Sequence, residues 1–173
     1  KNYHDKVTIE DSGIQVDWHG FYWLQNPYEQ DANMVDVGAL SGRGTLVPIE
    51  VFRKIGLFNA AHLPHYHADH DFSIRAKKVG VPLKMSYKAV VYNKDDLSAP
   101  EQARSVLWRM FNRKSKSNVL NSYYMMVKHT PGLLWKMINV FWYTGRTALK
   151  IIFSRARTVK VQNKTSSNAT SDV

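Results

Sequence analysis

The sequence of 173 residues contains no cysteine. This absence excludes a disulfide scaffold, thiolate catalysis, zinc ribbons and iron–sulfur clusters. Long apolar runs are also missing: no stretch reaches the about 18 uncharged residues of a simple transmembrane helix, so we expect none. Hydrophobic residues at 44% and aromatic residues at 12% exclude a wholly disordered chain. The length suits one folded core with appendages.

Acidic residues are scarce in the C-terminal part. Residues 101–173 contain 13 Lys and Arg but only Glu101 and Asp172, whereas residues 1–100 contain 11 Lys and Arg and 12 Asp and Glu. The formal net charge of +10 therefore belongs to the C-terminal part. A cationic segment of this kind favours anionic lipid or nucleic acid as a partner.

Nucleic acid is the less favoured of these two partners. Five cationic side chains could follow a phosphate backbone: Arg104, Arg109, Arg113, Lys114 and Lys116. No recognised nucleic-acid-binding module surrounds them, so we expect a solvated face and no nucleic-acid partner.

Composition divides the chain into four segments. Residues 1–97 combine short β-prone runs with two predicted helices, residues 98–130 are helical, residues 131–155 form an amphipathic helix, and residues 156–173 form a basic, polar tail that we expect to be disordered. The predicted strands are 7–9, 14–16, 21–24, 83–85 and 89–92. The predicted helices are Pro48 to Gly56, about Asp69 to Val79, one from Pro100, one with Leu120, Tyr123, Tyr124 and Val127 as its apolar face, and one from Pro131 to about Phe153.

The most informative stretch runs from His62 to Arg75. Asp69 falls at the predicted N-cap of the second helix, where a carboxylate accepts backbone N–H groups and interacts with the positive end of the helix dipole. A carboxylate held there, after a loop, can act as a general base toward a hydroxyl group. Asp71 and Arg75 are spaced i, i+4 and can pair along the helix. Spacing alone favours a simpler alternative, in which Asp69 only caps the helix and the other two form a surface pair.

A metal site is a further alternative for the same stretch. In an extended chain His65, His67, Asp69 and Asp71 would lie on one face and would suit zinc or iron. The predicted helix start interrupts that alternation, and the spacing matches no standard metalloenzyme motif. A metal-dependent hydrolase or metal-binding protein that uses His65, His67 and Asp69 is therefore the alternative function.

The glycine-rich segment from Gly38 to Thr45 resembles a phosphate-binding loop only superficially. Gly38 plus five leads to Arg43, followed by Gly44, where a Walker A motif requires its second glycine and then a lysine. We expect a tight backbone segment that packs under a ligand or beside a strand.

Two stretches resemble the second half of an inverting family 2 nucleotide-sugar glycosyltransferase, whose GT-A fold is α/β and Rossmann-like: residues 42–58 (GRGTLVPIEVFRKIGLF) and residues 63–80 (LPHYHADHDFSIRAKKVG). Family members combine a short helix ending in Ile/Val-Gly-x-Phe/Leu with an acidic Asp-x-Asp/Glu-x-x-x-Arg-Ala-x-x-x-Gly block. Order, spacing and residue types agree over roughly residues 35–93, about a third of the chain.

The resemblance implies direct displacement at the anomeric carbon of a nucleotide-activated sugar. The catalytic base of the family maps onto Asp69, and its ordering pair maps onto Asp71 and Arg75. The segment that would lie beside the bound sugar is Gly42, Arg43, Gly44 and Thr45. Ring-bearing residues that suit an acceptor sugar are Trp18, Trp23, His65, Tyr66 and His67, with core packing as the alternative for the tryptophans.

The resemblance also sets expectations for partners and cofactor. These are a nucleotide-sugar donor, a glycan or lipid-linked acceptor in polysaccharide or glycoconjugate biosynthesis, and a location in the cytoplasm or on the cytoplasmic face of a membrane. No βαβ unit or Asp-x-Asp metal motif precedes residue 35, so we expect this chain to be the acceptor-side half of a longer enzyme. The ligands of a Mg²⁺ or Mn²⁺ ion would then lie mainly in the other half, and no metal ligand is assigned here.

Two positions depart from the family pattern. Many members have Glu where this chain has Ala68, and many have a His that contacts metal or phosphate where this chain has Tyr92 and Asn93. Both departures bear on metal binding by this half.

The last predicted helix is amphipathic. Its polar residues recur at steps of three and four and form one stripe: Lys136, Asn139, Tyr143, Arg146 and Lys150. Apolar residues cover most of the remaining surface, and Trp135 and Trp142 suit a lipid headgroup zone. Two alternatives follow, namely a helix in an anionic membrane interface or a helix whose apolar face packs on the other half of the enzyme.

Overall fold

The computed structural model describes residues 11–19, 22–25, 33–92, 105–115 and 118–150. They contain four strands: β1 (Ile14–Asp17), β2 (Tyr22–Gln25), β3 (Met34–Asp36) and β4 (Lys84–Ser86). They contain five helices: α1 (Ile49–Ile55), α2 (Ala68–Lys78), α3 (Val106–Phe111), α4 (Val119–His129) and α5, which covers 133–150. The predicted mixed α/β composition is therefore confirmed.

The four strands form two antiparallel pairs. β1 pairs with β2, and β3 pairs with β4 in a register that places Val35 opposite Met85. Beyond β3 the chain returns to β1, where the carbonyl of Ile14 accepts hydrogen bonds from Gly38 N at 2.6 Å and Ala39 N at 3.0 Å. The start of the glycine-rich segment 38–45, called the glycine loop below, is thereby attached to the first hairpin.

Two details of the strand prediction need correction. β3 was not predicted, since its three residues are too short for an alternating pattern. Residues 89–92 were predicted as a strand but pair with no strand in the described ranges, and the Val90 and Tyr92 side chains are 63% and 81% exposed. The predicted strand 7–9 lies outside the described residues, as does the tail 156–173.

Helices α1 and α2 begin and end close to the residues that the sequence predicts. Pro48 is the N-cap of α1, and Gly56, with φ 78°, follows its last residue. α2 ends before Gly80, whose φ is 86°. The predicted N-cap is wrong: His67, with a left-handed φ of 68°, caps α2, and Asp69 is the second helical residue. Asp69 still lies in the first turn, where the helix dipole favours a carboxylate.

The core consists of two buried apolar clusters that meet on α2. The first cluster is Ala39, Leu63, Ile74, Met125 and Met126. The second cluster is Val37, Val51, Phe72, Ala76 and Leu83. α2 contributes Ile74 to the first cluster and Phe72 and Ala76 to the second, and it is therefore the central element of the described fold.

Helices α3 and α4 depart from the predicted details. α3 begins at Val106, where the Ser105 hydroxyl caps it by accepting Trp108 N at 3.2 Å, and the predicted helix start at Pro100 lies outside the described residues. α4 forms as predicted, but of the four predicted residues only Tyr123 and Tyr124 pack against the first cluster, whereas Leu120 and Val127 are 59% and 53% exposed. The side of α4 that carries Met125 and Met126 enters the first cluster instead, so α4 shares the core of residues 11–92.

Helix α5 turns its polar stripe inward. Asn139 is 1% exposed, and its Nδ2 donates to the carbonyl of Trp18 at 2.5 Å and to Oγ1 of Thr130 at 3.4 Å. Tyr143 packs its ring edge-on against Tyr123 with centroids 5.3 Å apart. Within the described residues, no helix is long and apolar enough to span a membrane.

Candidate active site around Asp69

The carboxylate of Asp69 lies at the meeting point of α2 and the glycine loop. Its Oδ2 accepts a hydrogen bond from Gly42 N at 2.7 Å, and its Oδ1 accepts one from His70 N at 2.9 Å. The side chain is 33% exposed, so it is anchored by backbone donors yet open to a ligand. A Cβ at Gly42 would lie 3.5 Å from Oδ2, which shows how closely the loop approaches the carboxylate.

The glycine loop is fastened to α2 and to the start of the described chain. Ser73 Oγ accepts a hydrogen bond from Leu40 N at 3.1 Å and donates to the Asp69 carbonyl at 2.9 Å. Ser41 Oγ donates to a carboxylate oxygen of Asp11 at 2.6 Å. These contacts make the position of the loop relative to Asp69 a product of long-range hydrogen bonds.

A cavity of about 540 Å³ opens beside Asp69. Gly42, Thr45 and Asp69 contribute polar lining at one part. Apolar side chains line most of the rest, and they include those of α1 and α2, of Phe58 and of residues 81–83 before β4. Arg43 and Gly44, predicted to lie beside a bound sugar, do not line this cavity. Gly44, with φ 71°, instead packs against Val91. The structure therefore brings two of the four predicted loop residues together with Asp69.

The second carboxylate, Asp71, is fully buried and accepts hydrogen bonds from two cations and a histidine. It receives Nε of Arg75 at 2.9 Å, Nζ of Lys128 at 2.8 Å and Nε2 of His129 at 2.7 Å. Burial by itself raises the pKa of Asp71, but the hydrogen bonds from His129, Lys128 and Arg75 outweigh it and hold that pKa well below its usual range. The predicted i, i+4 pair is confirmed, but it is a buried pair and not a surface one.

His129 completes this network from α4. Burial lowers the pKa of His129 despite the carboxylate of Asp71, so the ring is neutral at neutral pH. Its Nε2–H then donates to Asp71, and its Nδ1 accepts from Nζ of Lys78 at 3.2 Å. Arg75 extends the network to the end of α1 by donating from Nη1 to the carbonyl of Ile55 at 2.5 Å, and it also donates from Nη2 to the carbonyl of Leu57 at 2.8 Å. The helix that carries Asp69 is thus joined to two other helices through one buried carboxylate.

Two histidines beside Asp69 stack under an aromatic ring. His67 Nδ1 lies 3.1 Å from His70 Nδ1, and Trp23 stacks on the His67 ring at 5.4 Å and 14°. Burial, and to a lesser extent the neighbouring His70, lower the pKa of His67 to about 4, and burial also lowers the pKa of His70. The pair is therefore neutral at neutral pH, with one ring nitrogen donating to the other.

The other predicted acceptor residues are dispersed. His65 is exposed and meets Tyr66 edge-on at 4.7 Å. Trp18 packs against the first cluster and lies 6.1 Å from the His129 ring. Of the five predicted ring-bearing residues, Trp23 and His67 lie in the immediate surroundings of Asp69.

The alternative metal site finds no support in the described ranges. No group of three or more His, Cys, Asp or Glu side chains there could hold a metal ion. His67 faces His70, and His65 lies against Tyr66, because α2 begins at Ala68 and removes the extended geometry that the site requires.

Sequence reasoning missed Lys128, His129 and Ser73. His129 stands 58 residues from Asp71 along the chain, so no spacing rule links the two. Ser73 lies within α2 and resembles an ordinary helical serine. The one local signal was the pair of basic residues in the last turn of α4, which also has a dipole explanation.

No protein-family model, no curated protein sequence and no solved structure matches the chain. The fold and site define a mixed α/β protein in which a central helix presents one partly exposed carboxylate to a cavity and buries a second among cations.

Proposed function

We propose that this chain is the acceptor-side half of an inverting, GT-A-type glycosyltransferase in which Asp69 is the general base. The observation that carries the proposal is the placement of Asp69: its carboxylate is held by Gly42 N at 2.7 Å, lines a cavity of about 540 Å³, and remains 33% exposed. A general base needs this combination of a defined orientation and access to its substrate.

The proposed reaction requires only the acceptor and the nucleotide-sugar as reactants. The acceptor hydroxyl gives its proton to the carboxylate of Asp69 while its oxygen forms a bond to the anomeric carbon of a nucleotide-sugar. The bond between that carbon and the diphosphate breaks, and the nucleoside diphosphate leaves with its electron pair. The role of Asp69 is to hold the hydroxyl in line and to accept the proton.

The Asp71 network supports this role by immobilising α2. Three donors converge on a buried carboxylate two residues from the base, so the first turn of α2 cannot rotate without breaking charged hydrogen bonds. Positioning groups of this kind keep a base within hydrogen-bond reach of its substrate. The divalent cation implied by the sequence resemblance has no ligand cluster among the described residues, and no step is assigned to it.

The test is Asp69→Asn in the full-length enzyme that contains this chain. Transfer from a panel of uridine, guanosine and thymidine diphosphate sugars should fall by about a hundredfold or more, because general-base catalysis contributes about that much. The matched control is Asp36→Asn, a 77% exposed carboxylate, which should keep full transfer. Circular dichroism of both variants should match the parent, and Asp69→Asn should lower the melting midpoint only slightly, because the amide keeps one of the two acceptor oxygens. Transfer retained by a folded Asp69→Asn variant would remove Asp69 as the base.

A further inference from the structure

Helix α5 presents its apolar face outward. The exposed apolar side chains follow one another at steps of one, three and seven residues along the helix: Leu134 at 67%, Met137 at 63%, Ile138 at 41%, Phe141 at 82%, Trp142 at 54% and Leu149 at 53%. All six are exposed in the part of the chain that the structure describes. An apolar stripe of this length on a surface marks an interaction site and not scattered exposure.

The orientation of α5 results from specific inward contacts. The buried amide of Asn139 donates to the carbonyl of Trp18 at 2.5 Å. Tyr123 Oη and Thr144 Oγ1 form a hydrogen bond of 2.7 Å, and the edge of Trp135 meets His19 at 4.5 Å. Turning the helix to bury its apolar face would break these contacts and leave the amide of Asn139 without them.

We propose that the outward face of α5 is a docking surface for an anionic lipid bilayer. The outward stripe contains no charged residue, since Lys136 and Arg146 lie on the inward side and Lys150 lies at the end of the described helix. A helix with apolar side chains on one side and polar side chains on the other lies in the plane of the membrane interface. It buries its apolar side chains at the boundary between headgroups and acyl chains. Trp142, on the edge of the stripe, suits the headgroup region.

Charge favours an anionic bilayer over a second copy of this chain. Residues 105–150 contain eight Lys and Arg and no Asp or Glu. Two copies of such a segment repel each other, which disfavours a dimer formed through α5, whereas an anionic surface attracts it over a Debye length. The attraction brings the helix to the bilayer, and the apolar face then inserts. This inference does not depend on the proposed transferase activity.

The experiment is flotation of the full chain with two vesicle compositions. Vesicles of phosphatidylcholine and phosphatidylglycerol should carry the protein upward at low salt, and the bound fraction should fall as salt rises. Vesicles of phosphatidylcholine alone should bind at least about tenfold less, because the electrostatic contribution is then absent. No binding to the anionic vesicles would overturn the proposal.

A matched pair of charge substitutions locates the surface. Phe141→Glu places a carboxylate on the outward stripe and should lower binding to anionic vesicles by about tenfold or more. Leu57→Glu changes the charge equally at a 76% exposed apolar position outside α5 and should lower binding far less. Equal losses in the two variants would show that only net charge matters and would overturn the assignment to α5.

Tryptophan quenching by bromine-labelled lipid gives an independent readout of insertion. Trp142→Phe should remove a large share of the quenching, whereas Trp108→Phe, at a 36% exposed position on α3, should leave it nearly unchanged. The unfolding midpoints of all four variants should match the parent. Sedimentation of the parent should give a monomer; a dimer that Phe141→Glu dissociates would assign the face to a second copy instead and would overturn the proposal.

Discussion

His129 Nε2 donates a hydrogen bond of 2.7 Å to Asp71 Oδ1, and this contact joins α4 to α2. Both side chains are almost fully buried. The carboxylate also receives Lys128 of α4 and Arg75 of α2 itself, so α4 holds α2 through two side chains. The helix that presents Asp69 therefore depends on the C-terminal part of the protein for its position.

Asp71→Asn should destabilise the protein by about 3 kcal/mol. The substitution leaves Arg75 and Lys128 without their charged acceptor in a buried network, and breaking such a network by removing one partner costs about that much. Urea denaturation followed by circular dichroism measures the effect. Asp36→Asn is the control, since the ion pair of Asp36 with Lys84 is exposed and should change stability by less than about 1 kcal/mol. Similar values for the two variants would contradict a structural role for the Asp71 network.

The His67–His70 pair should make the protein sensitive to mild acid. The pKa of His67 is about 4 in the folded state against about 6.5 when unfolded, so the unfolded state binds more protons between these values. Stability is therefore full above about pH 6.5 and is lost as the pH falls toward 4, by up to about 1.4 kcal/mol per pH unit for each such histidine. Urea denaturation at several pH values gives the slope.

His67→Asn tests the origin of that slope. Asparagine tolerates the left-handed φ of 68° at this position but does not titrate. The variant should lose less stability between about pH 7 and pH 5 than the parent, whereas His65→Asn, at an exposed site, should follow the parent. An unchanged slope in His67→Asn would assign the acid sensitivity to other groups.

Gly38→Ala should lower the stability of the protein much more than Gly42→Ala. A Cβ at Gly38 would lie 3.1 Å from the backbone at Gln15 Cα and Ile14 O, so we expect a loss of about 2 kcal/mol. A Cβ at Gly42 would meet only Asp69, at 3.5 Å or more, so stability should change by less than about 1 kcal/mol. Thermal melting distinguishes the two.

Gly42→Ala should nevertheless impair the proposed reaction. The added methyl group would lie against Oδ2 of Asp69 and partly cover it, so transfer by the full-length enzyme should fall by about tenfold or more. Full activity in this variant would indicate that the acceptor does not approach Asp69 from the loop side.

Met125→Ala and Leu120→Ala should report which face of α4 is buried. Met125 is fully buried in the first cluster, so its truncation should cost about 3 kcal/mol, whereas Leu120 is 59% exposed and should cost less than about 1 kcal/mol. Urea denaturation gives both values. The reverse order would restore the face that the apolar spacing predicted.

Local sequence signals predicted the helices that lead to the site, but not its surroundings. Pro48, Gly56 and Gly80 delimit α1 and α2 because they restrict or release φ within a few residues. The start of α2 was displaced by two residues, since His67 occupies a left-handed conformation that ordinary capping preferences do not indicate. The family resemblance placed Arg43 and Gly44 beside the bound sugar, and its ring placed His65 there, but Arg43 and Gly44 do not line the cavity next to Asp69 and His65 lies exposed against Tyr66.

The sequence by itself determined the mixed α/β composition, the i, i+4 pairing of Asp71 with Arg75, the amphipathic pattern of α5 and the concentration of positive charge after residue 100. Only the tertiary structure decided that Asp71 is buried with His129 and Lys128, that α4 buries Met125 and Met126, and that α5 turns its polar stripe inward. The physical reason is the distance along the chain over which each interaction acts. Propensity, capping and helical spacing act over a few residues, whereas burial is settled by the contacts of whole elements that are distant in the chain.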